Sequence, residues 1–171
     1  MIPEQYKWLD REVAPKMLME AITLLGTKEV IGSLNNPVIM DWAQALKIKE
    51  YNMDSIPWCG LFIAYLALIT NKTLPTSPLW ALSWSKWGEG CEPELGCVLT
   101  FKRNGGGHVG LYVGEDLECY HVLGGNQGDS VSITRIKKSR LDAARCHYKN
   151  KPTTIRKIHL SPVGSVSTNE A

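Results

Sequence analysis

DSIPWCGLFIAYLALI, residues 54–69, sets one cysteine, Cys59, between Pro57-Trp58 and an apolar run that continues to Ile69. Ser55 and Pro57 are helix-start signals, because proline is favoured in a helix's first turn, where its missing N–H would be unpaired anyway. From Trp58 to Ile69 the segment is apolar on every side, as expected of a helix enclosed by other elements rather than laid on a surface. A buried central helix that begins with a thiol is the frame into which the rest of the chain must fit.

Upstream, residues 3–25 carry Tyr6, Leu9, Val13, Met17, Leu18 and Ile22 near helical spacing, with Gly26 as a stop. Asn36-Pro37 opens a second helical segment in which Ile39, Trp42, Ala43 and Leu46 share a face. After Pro75 the pattern changes to short β-rich runs at 97–103, 108–115, 117–123 and 130–136, separated by Gly, Asn or Asp. Asn104 to Gly107 joins the first two runs as a hairpin. The expected fold class is α+β: N-terminal helices, with Cys59 on a central helix packed on an antiparallel β-sheet. Residues 1–160 form one domain, and residues 161–171 a polar, frayed tail.

The 171 residues suit a single domain with a sizeable core. Nineteen basic against seventeen acidic residues leave a net charge of +2, too little to argue for nucleic acid. The longest apolar run falls short of a membrane span. The first residues lack the basic flank and apolar stretch of a secretory signal. A soluble monomer made in the cytoplasm is therefore expected, and a role outside would need lysis, injection or an unconventional exit. Five cysteines are an odd number, so full pairing within the chain is impossible. An oxidising compartment would let Cys91 and Cys97 meet, and most of the thiols are expected to be small buried hydrophobes. No Cys–His spacing resembles a zinc site, and no metal or cofactor is expected.

Two residues carry the chemistry. In the first turn of its helix Cys59 would meet unpaired N–H groups and the positive end of the helix dipole, which lower a thiol pKa. In GHVGLYVG, residues 107–114, strand alternation puts Val109, Leu111 and Val113 on one face and His108, Gly110 and Tyr112 on the other, with room above Gly110 for another group. His121, sharing a face with Cys119 and Leu123, reads as structural. A third residue must orient the imidazole, and VLGGNQGDS, residues 122–130, offers Asn126, Gln127 or Asp129, with Asn126 preferred. The same Gly-Gly-Asn-Gln-Gly is also a good turn. Gly105 to Gly107 are not a phosphate cradle, since no Lys-Ser/Thr follows and the next element is a strand. Trp58, Trp84, Trp87 and Tyr112 are groove or core aromatics. Asp54 is a substrate contact or a helix-cap residue.

PWCGLF, GHVGLYVG and VLGGNQGDSV, in that order, resemble the CHAP-type amidase/peptidase domains of the NlpC-like, papain-like cysteine hydrolases, in a subfamily common in phages and their bacterial hosts. The pattern spans nearly the whole chain, including Asn36-Pro37 and the Ser83-Trp84 to Trp87-Gly88 segment. The resemblance implies a papain-like plan and cleavage of an amide bond in peptidoglycan. Cys59 is then the nucleophile, His108 the base and Asn126 the orienting residue, with Asp54, Trp58, Trp87, Tyr112 and Gln127 as substrate-binding candidates. Two places depart from the pattern. Gly124 stands where many CHAP domains have an acid two residues before the asparagine, and Gly60 stands where the subfamily more often has alanine, a change expected to be neutral. The readings carried forward are an endolysin-like hydrolase, the same chemistry in a tail-associated enzyme or injected toxin, and a non-catalytic wall-binding module.

Overall fold

Proline decides how the helical half is divided. A computed structural model describes residues 1–32, 34–148, 150–168 and 170. In place of one helix over residues 3–25, a 3-10 helix spans Glu4–Arg11 and α1 spans Lys16–Thr23. Pro15 separates them: it has no N–H to donate, and it disfavours helical backbone at Ala14. Val13, expected on the buried face, is in consequence 68% exposed. The second segment forms as the sequence predicts, as α2 (Pro37–Ala45), with the Asn36 side chain accepting a hydrogen bond from the Val38 N–H at 2.8 Å.

The central helix is α3 (Cys59–Ile69), with Trp58 as its N-cap and Cys59 as its first helical residue. Its start is fixed from the N-terminal side. The Asp54 carboxylate accepts from the backbone N–H groups of Val30 and Asn36, and the Trp58 indole N–H donates to Glu29 at 2.6 Å. Residues 26–29 in turn pair with 129–131 through Gly26 N–H to Val131 O, Val131 N–H to Thr27 O and Glu29 N–H to Asp129 O. The segment that anchors Trp58 thereby also holds the Gly-Gly-Asn-Gln loop.

Among the described residues the second half is one mixed sheet of seven strands in the order β1-β6-β2-β3-β4-β5-β7. These are β1 (Glu89–Gly90), β2 (Val98–Arg103), β3 (Gly106–Glu115), β4 (Cys119–Gly124), β5 (Ser132–Lys137), β6 (Leu141–Cys146) and β7 (Val166–Ser167). The four runs read from the sequence are β2 to β5. The β2–β3 hairpin turns on Asn104-Gly105 alone, because Arg103 already pairs with Gly106, and Gly105 takes a φ of 81°. Val109, Leu111 and Val113 face α3 in the main core, while Tyr112 faces a smaller cluster with Phe101, Tyr120 and Val122 across the sheet. The α+β class is as expected, with helices preceding a largely antiparallel sheet.

The described residues of the C-terminal segment, 161–168 and 170, are not the frayed tail expected. β7 adds to β5 in parallel, Arg135 beside Val166 and Ile136 beside Ser167. Glu170 beyond it is 1% exposed and takes both arms of the Arg140 guanidinium at 2.7 and 2.8 Å. No helix among the described residues is long and apolar enough to cross a membrane.

Candidate active site

The β3–β4 ladder ends at Leu111 beside Leu123; Gly124 still pairs with Ser132 of β5, and the chain leaves the sheet at Gly125. A Cβ at Gly125 would lie 2.7 Å from the Trp58 ring and from Phe62, so the chain can pass over the start of α3 only as glycine. The departure opens the edge of β3 at Val109, whose backbone N–H meets the Cys59 thiol. Cys59 thus comes from the face of the sheet that packs on α3, while strand alternation turns His108 to the other face, beside Phe101, its partner on β2. In the resting arrangement their side chains are not hydrogen-bonded to each other among the described residues.

His108 is held by Gln127, not by Asn126. Its Nε2 lies 3.0 Å from the Gln127 Oε1. The Gln127 amide nitrogen donates to the carbonyls of Val122 and Ser132, at 3.2 and 2.6 Å, which leaves only its oxygen to face the ring. Nε2 must therefore carry the proton, and Nδ1 keeps its lone pair. The preference for Asn126 is corrected by backbone geometry: Asn126 has a φ of 56°, the left-handed corner of the turn, and the next residue reaches back to the histidine. Asp129, also left-handed at 57°, contributes its backbone carbonyl to Glu29.

Gly124 shows why no acid stands two places before Asn126. A Cβ there would lie 2.9 Å from the Gln127 Oε1 and 3.1 Å from the His108 Nε2. The space an acid would use is filled by the glutamine amide. Gly60 is not neutral towards alanine either, since a Cβ would come within 2.3 Å of the Leu79 carbonyl oxygen. The helix start and the Pro78-Leu79 backbone are packed against each other without room for a methyl group.

Electrostatics differ from the expected low-pKa thiol. Burial pushes the Cys59 thiol up, and it outweighs the N–H groups of Val109, Gly60 and Cys59 and the charge of Arg103, which all pull the other way. Burial likewise lowers His108, to about 4, although the Glu170 carboxylate and Gln127 favour its charged form. Cys59 is 6% exposed and His108 1%. At rest the thiol and the imidazole are both neutral.

A cleft of about 330 Å³ leads to Cys59 between Ile56, Pro57, Leu79, Trp80, Arg103 and the Gly105–Gly107 turn. Trp80 in its wall is 72% exposed. Trp80 and Arg103 escaped the sequence reading, although a tryptophan after Ser77-Pro78, in turn chemistry rather than a periodic segment, was a usable signal. Glu170 was also missed, because its partners lie on elements far back in the chain.

Four proposed substrate contacts lie elsewhere. Asp54 and Trp58 are buried anchors of the α3 start, as described above. The Trp87 indole donates to the Thr73 carbonyl and stacks on His147 at 5.2 Å. Tyr112 donates to Glu115 at 3.0 Å in the far cluster. Trp84 is buried, bonded to the Pro78 carbonyl at 2.9 Å. His121 is structural as read: Tyr6 OH meets its Nδ1 at 2.7 Å and Asp116 its Nε2 at 3.0 Å, so neither nitrogen is left for a substrate. Compared with known proteins, the chain matches no protein-family model and no curated protein sequence.

Proposed function

We propose that this protein is a cysteine hydrolase of the papain-like class, with Cys59 as nucleophile, His108 as general base and Gln127 as the residue that orients it. The observation that carries this reading is the pinned amide of Gln127, which fixes the His108 tautomer with a basic Nδ1 on the residue next to Val109, whose N–H meets the Cys59 thiol. Within that class, the motifs around Cys59, His108 and Gln127 favour a CHAP-type peptidoglycan hydrolase of the endolysin kind, acting on an amide bond.

The neutral pair sets the order of events. His108 Nδ1 takes the thiol proton as the sulfur attacks the amide carbon, so charge separates during the attack rather than before it. The imidazolium so formed is favoured by the Glu170 carboxylate and by Gln127. The first N–H of α3, that of Cys59, is available to the developing oxyanion. The imidazolium then protonates the leaving amine, and neutral His108 activates the water that opens the thioester. Trp80 and Leu79 line the approach as an apolar wall, with the Gly105–Gly107 turn beside them.

The test is digestion of purified peptidoglycan by wild type, Cys59→Ala and His108→Ala, with products identified by mass spectrometry. Fragments from wild type alone are expected, and their new termini name the bond. If wild type releases nothing yet sediments with the wall, the hydrolase reading fails and a wall-binding module replaces it.

A further inference from the structure

At the outer edge of the sheet, away from the Cys59 cleft, three of the other four cysteines converge. Cys91 follows β1, Cys97 precedes β2 and Cys146 ends β6, the strand between them in the sheet. The Cys91 and Cys97 sulfurs are 3.3 Å apart, and Cys146 is near enough to act electrostatically on both. All three line a separate cleft of about 360 Å³, together with Glu92, Glu94 and Lys151. Packing alone does not explain the group. A buried structural cysteine needs no thiol neighbour, whereas these three lie together and line one cleft with Glu92, Glu94 and Lys151. Among the described residues no cluster of His, Cys, Asp and Glu has an arrangement that could hold a metal ion, and that includes these thiols.

We propose that Cys91 and Cys97 form a peroxide-responsive dithiol that closes to a disulfide, independently of the hydrolase site. The sulfurs need to move together by little more than 1 Å to reach a bond length of about 2.05 Å. The backbone between them already makes a tight turn, with Cys97 N–H donating to the Glu94 carbonyl and Gly96 at a φ of 78°. The Cys91 S–H donates to the Cys97 sulfur, which lowers the Cys97 pKa and makes it the better nucleophile. The oxidant is a hydroperoxide, small enough for the cleft. The Cys97 thiolate attacks the O–O bond, giving a sulfenic acid and releasing water or an alcohol. Cys91 sulfur then attacks the Cys97 sulfur, the S–S bond forms, and a second water leaves with the two thiol protons accounted for. Two thiols are oxidised by two electrons and one peroxide bond is reduced. The closed bridge joins the end of β1 to the start of β2 and so fastens the sheet's edge.

The experiment treats the intact, reduced chain with stoichiometric hydrogen peroxide, alkylates the remaining thiols and maps the peptides by mass spectrometry. A Cys91–Cys97 linkage is expected before modification of Cys119 or Cys146, with Cys146→Ser giving the same linkage. Closure should also raise the thermal midpoint by about 5 °C, a shift absent in Cys97→Ser. Recovery of both Cys91 and Cys97 as alkylated thiols, or a Cys91–Cys146 linkage in their place, would overturn the proposal.

Discussion

Gln127 is the residue on which the site's geometry turns, and its effect on rate should separate from any effect on binding. It lies outside the cleft, so Gln127→Ala should lower kcat by roughly 10²-fold with KM little changed, as expected when a general base loses its tautomer and orientation. Gly124→Ala should move activity in the same direction, because its methyl group would displace the Gln127 oxygen from the ring. Steady-state kinetics on a defined wall fragment checks both, and a rise in KM at constant kcat would assign Gln127 to the substrate instead. The thiol makes a second prediction. With burial raising the Cys59 pKa and lowering that of His108, iodoacetamide should alkylate Cys59 slowly at neutral pH and faster as pH rises through 9 and beyond. A rate already flat from pH 5 would instead mean a preformed thiolate–imidazolium pair. That Cys59 opens a helix and His108 lies on a strand was legible in the sequence, from the start signals before the one and the alternation around the other. The third residue was not, since which side chain of a Gly-Gly-Asn-Gln turn reaches back depends on the sign of φ at Asn126.

At the scale of elements, α3 is the piece whose packing can be challenged most directly. Gly60→Ala trades a gain of up to about 1 kcal/mol in helix propensity against a methyl group forced into the Leu79 carbonyl. Overpacking of this kind costs about 1–3 kcal/mol, so the variant should be destabilised on balance. Because the displaced backbone carries Leu79 and Trp80 into the cleft wall, activity should fall as well. Denaturant unfolding and the wall assay measure the two effects, and a Gly60→Ala variant as stable and active as wild type would show that the Pro78-Leu79 segment yields freely. The apolar run of α3, the Asn36 cap and strands β2 to β5 could all be read from periodicity and turn residues. β6 could not: LDAARC has little β-branched character and is a strand because Val98, Leu99 and Thr100 pair with it. β7 is two residues long and exists only because the β5 edge is available. Both are tertiary decisions, which a local pattern does not carry.

The molecule as a whole stakes part of its stability on keeping His108 neutral. The imidazole faces Gln127 from the loop after β4, Arg103 from β2, Arg140 from the 3-10 turn Lys138–Arg140 and Glu170 from the C-terminal segment, and burial still holds its pKa near 4. The unfolded chain binds a proton on this histidine below about pH 6.5, whereas the folded chain does so only near 4. Folding therefore excludes a proton between those limits. The contribution is fully present above 6.5 and is lost as pH falls through the window. From pH 7.5 to 5 wild type should lose about 2 kcal/mol more than His108→Gln, at 1.36 kcal/mol per unit. His121, also lowered by burial, titrates with the same sign in both proteins and cancels from the difference. The carboxylates Asp116 and Glu170, held low by Arg135 and Arg140 against their burial, lose their contributions mainly at more acidic pH. Urea unfolding of both proteins at the two pH values makes the measurement. Parallel losses would mean that His108 takes up its proton in the folded state as readily as in the unfolded chain, and with that the neutral pair on which the proposed order of proton transfer depends would be lost.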